Sequence, residues 1–316
     1  MSHEKPQYVS APGPDLAKPF WLNHGLRNTF LFKDALSRRE KRDLLAESVE
    51  KLSLLFSENG VPFPKNPYAR IRFLKLLPFS LAAKHFGYEI YESGFALAET
   101  GFGFVDIWSA EYNEKKSNIP KENSLKRIGI HELLHCLEIT KWWKEKDKKT
   151  TEYSHLNRMG FATRKPQKES FGPNASRSIG GRELNEGLAQ YLSSWAIGDE
   201  IKNKTAEVRV IEYLVDKIGI GPLVKGAYLE NGLRALNEKM AEVFGKGSLG
   251  EMLCWMGLEY VNSERKMAKS KEKKPLEKYT KTLEYLDLMR SLTQQRAIIH
   301  AFKTSYRDKI ETVIFN

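Results

Sequence analysis

The feature that most constrains the fold is a mostly apolar run near the middle of the chain, RIGIHELLHCLEI (127–139). It contains no proline, and its apolar residues recur at helical spacing, so we expect a helix from a cap at Ser124 to about Thr140. On a helix, His131 and His135 differ in direction by only about 40°. Both imidazoles therefore lie on one face, one turn apart, with Glu132 about 100° away from His131.

Two histidines on one face of an apolar helix indicate a metal site. Burying two imidazoles and a carboxylate without partners is costly, and a shared metal ion removes that cost. His-Glu-x-x-His is also the pattern with which one helix binds zinc. The sequence thus predicts His131 and His135 as zinc ligands and Glu132 as the general base for an activated water. The alternative interpretation is an ordinary pair of core histidines.

A catalytic zinc site with two histidines needs a third protein ligand and an open position for water. A third histidine six residues beyond the motif is excluded, because that position is Lys141. The remaining candidates are His155, Glu183 and Glu186.

The segment around the last candidate carries a family resemblance. Downstream of the histidine motif, Asn185-Glu186-Gly187-Leu188-Ala189 resembles the Asn-Glu-Gly-x-Ala signature of gluzincins, the thermolysin-like and aminopeptidase-N-like zinc peptidases. The resemblance implies that Glu186 is the third ligand, carried by a second helix, and that Gly187 lets a neighbouring helix approach closely. It covers these two helices only. The interval between the motifs exceeds the common gluzincin spacing, so residues 141–181 are interpreted as an insertion.

Other positions match the gluzincin pattern less closely. Four residues after Glu186, thermolysin-like enzymes place a carboxylate that holds a ligating histidine; here Gln190 could accept the same hydrogen bond more weakly. No Gly-Ala-Met-Glu-Asn exopeptidase segment is present, so an endopeptidase is favoured over an aminopeptidase. The resemblance also implies that Phe102–Ser109 is an edge strand that pairs with an extended substrate. The alternative is a plain core strand, and one edge strand can be both.

A residue that stabilises the transition-state oxyanion is a further expectation. In gluzincins a downstream tyrosine or histidine has this role. Tyr191, Tyr213 and Tyr228 are available here, and Tyr228 is favoured because it lies between two helical runs. The alternative is an aromatic residue of the core. Cys136 and Cys254 are interpreted as small buried residues, and neither has a convincing partner for nucleophilic catalysis.

The charge composition of the chain bears on whether it binds nucleic acid. The net charge of +11, from 51 basic and 40 acidic residues, raises the question of nucleic acid. However, the basic residues cluster in mixed-sign runs at 141–149 and 263–275, which are typical of solvated surfaces, and no nucleic-acid-binding module is recognised. Trp142 and Trp143 offer a stacking surface, but packing is the commoner role of such a pair.

Cysteine count and hydropathy indicate the compartment. Two cysteines suit a reducing environment. The N-terminus has no apolar signal-peptide region, and no apolar run reaches about 18 residues. We therefore expect a cytoplasmic protein without a membrane partner.

The order of elements, helix then strands then helices, predicts an α+β fold. Together with the resemblance it implies a zincin-like, two-lobed catalytic unit, with a small mixed sheet and helices in the N-terminal lobe and a mostly helical C-terminal lobe. The expected divisions are an extended N-terminal segment (1–30), the N-terminal lobe (31–140), an insertion loop (141–181), the helical lobe (182–262), and a linker with a C-terminal helix (263–316).

These observations favour a zinc-dependent metallopeptidase that hydrolyses peptide or protein substrates. Two alternatives are a catalytically inactive, zinc-stabilised interaction module and a nucleic-acid-associated protease. Glu132 favours the enzyme, because a metal site without catalysis has no need for that carboxylate.

Overall fold

The computed structural model describes residues 7–10, 36–74, 96–99, 104–108, 121–146, 152–166, 176–178, 181–199, 205–269 and 279–315. It describes side chains for residues 36–71, 125–139, 160–162, 181–199, 205–260, 279–298 and 300–301.

The part described with its side chains is all-α, since 81% of it is helical and 1% is strand. The predicted α+β class, with a small mixed sheet, is therefore wrong for this part of the chain. The reason lies in which segments build the core. Among the described residues, the buried apolar side chains are carried mainly by helices, as with Leu52, Leu134, Leu192 and Leu214.

The described residues form eight α-helices and one short 3-10 helix, Pro67–Arg70. The α-helices are α1 (Arg38–Glu58), α2 (Lys121–Leu137), α3 (Arg182–Ile197), α4 (Ala206–Ile218), α5 (Ile220–Tyr228), α6 (Gly232–Phe244), α7 (Ser248–Lys269) and α8 (Thr280–Phe315). Among the described residues, none of these helices combines the length and the apolar character that crossing a membrane requires.

Helix α1 begins at Arg38, directly after Ser37, which caps it. The Ser37 hydroxyl accepts a hydrogen bond from the backbone N–H of Glu40 at 3.2 Å, and the Glu40 carboxylate accepts one from the backbone N–H of Ser37 at 2.6 Å. This reciprocal arrangement satisfies two amides that a helix start otherwise leaves unpaired. The helix then buries Leu45, Leu52 and Phe56 completely.

Short strands lie in segments described by their backbone alone, apart from Ile71 and Ala162. Strand β4 (Phe104–Trp108) pairs in parallel with β2 (Ile71–Leu74) and antiparallel with β3 (Ala96–Glu99), so neither of its edges is open. This differs from the edge position expected for Phe102–Ser109. The other described strands pair antiparallel in the order β1 (Gln7–Ser10), β5 (Thr140–Lys146), β6 (Glu152–Met159), β7 (Ala162–Pro166) and β8 (Ser176–Ser178). Several of these lie in the predicted loop at 141–181.

The C-terminal helices differ from their predicted bounds. Helix α7 continues to Lys269, so the linker predicted from residue 263 begins too early. Helix α8, the C-terminal helix, runs from Thr280 to Phe315. It starts after the fully buried Tyr279, whose hydroxyl donates to Glu207 at 3.2 Å and so ties α8 to α4. Cys254, on α7, is exposed and its predicted burial is wrong, whereas Cys136 is buried as predicted.

Helix α3 lies close to the first turn of α4 because residue 187 is glycine. A Cβ built on Gly187 would be 2.7 Å from the carbonyl oxygen of Glu207, a separation that a side chain cannot occupy without displacement of the backbone. The expectation that Gly187 admits a neighbouring helix is confirmed. The close approach fixes the part of α3 that carries Glu186.

Candidate metal centre

Helix α2 presents two imidazoles side by side. The Nε2 atoms of His131 and His135 are 3.1 Å apart, and the rings meet edge to face with their centroids 4.7 Å apart. The same helix buries Ile130, Leu133 and Leu134 completely in the core. His135 is buried, while 22% of the His131 side chain is exposed. The imidazole face predicted from the sequence is therefore in place and opens to solvent at His131.

Helix α3 brings Glu186 to both histidines. Its Oε2 atom lies 3.5 Å from Nε2 of His131 and 3.4 Å from Nε2 of His135. Ligand atoms bound at about 2.0–2.2 Å in tetrahedral directions are about 3.3–3.6 Å apart, which is close to the sides of this triangle. The three side chains therefore form a cluster that could hold a metal ion.

Glu132 lies beside the cluster rather than in it. Its Oε1 atom is 3.9 Å from Nε2 of His131, and 14% of its side chain is exposed. Burial raises the pKa of Glu132, and the nearby imidazoles of His131 and His135 oppose that rise. A carboxylate at this position can reach a reacting group near the cluster without occupying a ligand position.

The charges around the cluster favour a cation. Burial alone would raise the pKa of Glu186, but hydrogen bonds and attraction from His131 and His135 outweigh burial and hold it well below its ordinary value. Burial lowers the pKa of His135, but Glu138 and Glu186 outweigh burial and raise it well above its ordinary value. Glu138 and Glu186 thus stabilise positive charge at His135, as carboxylates would stabilise a divalent ion.

A buried hydrogen-bond network that was not predicted from the sequence contacts His135 on the side of its Nδ1 atom. The Nδ1 atom of His135 is 2.6 Å from Oε1 of Glu138. The side-chain amide of Asn185 donates to Oε2 of Glu138 at 3.0 Å, and its oxygen accepts from the backbone N–H of Phe161 at 2.8 Å. The signal for Glu138 was present, because a residue three positions after His135 on a helix lies within reach of it.

Gln190, expected to hold a ligating histidine, is engaged elsewhere. Its side-chain oxygen accepts a hydrogen bond from the hydroxyl of Thr205 at 2.8 Å. Glu138 makes the contact with His135 that the gluzincin pattern suggested for Gln190. The supporting carboxylate therefore directly follows the histidine helix, which ends at Leu137.

The other candidates for the third ligand are not in the cluster as described. Glu183 is in the first turn of α3 and has one buried carboxylate oxygen without a hydrogen-bond partner among the described residues. His155 is on β6, opposite Trp143 of β5, and its side chain lies outside the described residues. Of the candidates with described side chains, Glu186 is the one that meets the imidazoles.

The three tyrosines suggested for the oxyanion differ in burial. Tyr228 belongs to the buried core, whereas Tyr191 and Tyr213 are partly buried and pack against it. Tyr228 is 5% exposed and packs against Phe56, with ring centroids 4.8 Å apart. Burial raises its pKa, and the charge of Glu138 raises it further. Tyr213 donates its hydroxyl to Asp287. The oxyanion role of Tyr228 stays a prediction, and its position suits a core residue.

Comparison of the chain with protein-family models, with curated proteins and with solved structures found no match. The resemblance to gluzincins therefore rests on the motif residues and on the cluster that they form.

Proposed function

We propose that the protein is a zinc-dependent endopeptidase of gluzincin type that acts on peptide or protein substrates. The observation that carries the proposal is the meeting of His131, His135 and Glu186 from two helices, with the carboxylate of Glu132 beside them. The two-cysteine composition adds a cytoplasmic location to the proposal.

The donor set supports zinc as the metal. Two imidazole nitrogens and one carboxylate oxygen are a three-ligand set found in catalytic zinc sites, which keep a further position open. His131, His135 and Glu186 would hold the ion. Bound zinc would supply a Lewis acid that activates water and polarises a peptide carbonyl. The partial exposure of His131 and of Glu186, at 22% and 46% of their side chains, leaves a substrate access to this centre.

Glu132 would transfer the proton. Its Oε1 atom is 3.9 Å from Nε2 of His131, outside the triangle of ligand atoms. In the proposed reaction Glu132 accepts a proton from the water that attacks the scissile carbonyl. It then donates that proton to the leaving amine as the C–N bond breaks. His135 and Glu186 keep the ligand geometry fixed throughout.

The test compares the wild-type protein with Glu132→Gln, both loaded with zinc and incubated with a fluorescently labelled unfolded protein. We expect Glu132→Gln to bind zinc as the wild type does, because it leaves the ligand triangle intact. We expect hydrolysis to fall by about 10²–10⁴-fold, the usual contribution of a general base. Glu183→Gln is the matched control, since it removes a carboxylate from α3 outside the cluster, and it should retain both properties.

Three results would redirect the proposal. A fully active Glu132→Gln would contradict the assignment of the base. Stoichiometric zinc binding by a wild-type protein that cleaves no unfolded substrate would favour the inactive interaction module. DNA binding that weakens steeply with added salt would favour a nucleic-acid-associated protease.

A further inference from the structure

Glu138 is a buried carboxylate that peptide hydrolysis does not itself require. It follows the last residue of α2 and is 5% exposed. Removing a carboxylate from water is costly unless hydrogen bonds compensate for the loss. Its surroundings therefore indicate why a carboxylate is placed there.

Both oxygens of Glu138 are engaged with residues of the metal centre. Oε1 is 2.6 Å from Nδ1 of His135, and Oε2 accepts from the amide of Asn185 at 3.0 Å. His135 and Asn185 are themselves buried, with 6% and 3% exposed. The two hydrogen bonds are thus shielded from competing water, and they hold the side chains of His135 and Asn185 in fixed positions relative to Glu138.

The first contact determines which nitrogen of His135 faces the cluster. When the Glu138 carboxylate is ionised it can only accept a hydrogen bond, and Nδ1 of His135, 2.6 Å away, is then the donor. In the neutral imidazole the lone pair is then on Nε2. That is the atom 3.4 Å from Oε2 of Glu186, so the tautomer directs the lone pair at the other ligands.

The second contact connects the two helices that carry the ligands. Asn185 immediately precedes Glu186 on α3, and its side-chain oxygen also accepts from the backbone N–H of Phe161 at 2.8 Å. Gly160, with φ +54°, passes so close that a Cβ there would be 2.5 Å from the Asn185 oxygen. A hydrogen bond from Asn185 to Glu138 therefore sets the position of Glu186 relative to His135.

We propose that Glu138 is a positioning residue of the metal centre. It holds His135 as the Nδ1–H tautomer and, through Asn185, holds Glu186 at the distance that the ion requires. This inference rests on the metal centre of the proposed function and does not depend on peptide hydrolysis.

The test measures zinc affinity by competition with a chromophoric chelator, without a peptidase assay. We expect Glu138→Gln, which keeps the shape but loses the charge, to bind zinc about 10–100-fold more weakly, the usual effect of removing a partner of a ligating histidine. Glu259→Gln is the control. Glu259 accepts hydrogen bonds from the backbone of Lys281 and Thr282, remote in sequence from the ligands, so its loss should leave zinc affinity unchanged.

A merely structural role gives a different result. In that case Glu138→Gln lowers the thermal stability of the metal-free protein, but the folded protein binds zinc with wild-type affinity, and the proposal is overturned. If Glu138→Gln does not fold, the nitrogen-15 spectrum of the imidazoles in the metal-free wild type, recorded at a pH at which they are neutral, decides. We expect His135 to carry its proton on Nδ1, and a proton on Nε2 would overturn the role of Glu138.

Failure of the inference and failure of the proposed function are separable. A wild-type protein that binds zinc but cleaves no peptide would contradict the peptidase, while the affinity of Glu138→Gln would still decide the positioning role. An active peptidase whose zinc affinity is unchanged in Glu138→Gln would contradict the inference alone. A wild-type protein that binds no zinc would contradict both.

Discussion

Gly187 lies where α3 passes the start of α4, and one added methyl group there tests how the metal centre is held. In Gly187→Ala the new Cβ would be 2.7 Å from the carbonyl oxygen and 2.9 Å from the carbonyl carbon of Glu207, where an ordinary contact begins at 3.4 Å. Both obstacles are backbone atoms, so no side chain can rotate away. The two helices must move apart, and Glu186 moves with α3.

Two opposing contributions determine the effect of Gly187→Ala on stability. Overpacking of this kind costs about 1–3 kcal/mol. Alanine in place of glycine within a helix contributes about 1 kcal/mol in the stabilising direction. The net loss is therefore about 0–2 kcal/mol. Gly257→Ala is a matched control, because Gly257 is inside α7 and a Cβ there meets nothing within 4 Å.

The assay is denaturant unfolding of the two metal-free variants beside the wild type, followed by zinc titration. We expect Gly257→Ala to be about 1–3 kcal/mol more stable than Gly187→Ala. Zinc affinity should fall in Gly187→Ala and stay unchanged in Gly257→Ala. Equal stabilisation by both substitutions, with equal zinc affinity, would refute the close approach of α3 to α4.

Three further predictions concern the metal, the core and a helix cap. Zinc at 100 times its Kd should raise the free energy of unfolding by about 2.7 kcal/mol. Denaturant unfolding measures this gain, and an equal gain in His131→Ala would contradict the role of His131 as a zinc ligand. Tyr228→Phe should leave kcat for a labelled peptide nearly unchanged, because the ring packs against Phe56 in the core; a fall of about 10²–10³-fold would instead mark an oxyanion donor. Ser37→Ala should reduce stability by about 1 kcal/mol, because it removes the cap of α1, and denaturant midpoints without a shift would contradict that contribution.

Local spacing was sufficient to predict the histidine face of the site. Residues four apart on a helix share a direction, so His131 and His135 could be paired before any tertiary structure was known. The offset of Glu132 followed from the same geometry. Glu186 did not follow from spacing, because nothing local indicates which distant helix approaches α2. Its selection over Glu183 depended on the resemblance around Gly187, and the packing of α3 brings it to the imidazoles.

The errors in the predicted fold have a common physical origin. In these segments intrinsic helix propensity indicates the structure better than charge or aromatic content does. The run at 263–269, SERKMAK, was predicted to be a linker because it is polar, yet lysine, arginine, glutamate, methionine and alanine all favour helices, and α7 continues through it. Similarly, the segments rich in aromatic residues suggested a sheet-based lobe, whereas the side chains of the described core come mainly from helices.

The measurement that tests the metal centre most directly is X-ray diffraction from zinc-loaded crystals, recorded on both sides of the zinc absorption edge. We predict one strong anomalous peak bonded to Nε2 of His131, Nε2 of His135 and Oε2 of Glu186, with Glu132 near the ion but not bonded to it. A peak that takes His155 or Glu183 as its third ligand, or that lies away from the two histidines, would contradict the proposed centre.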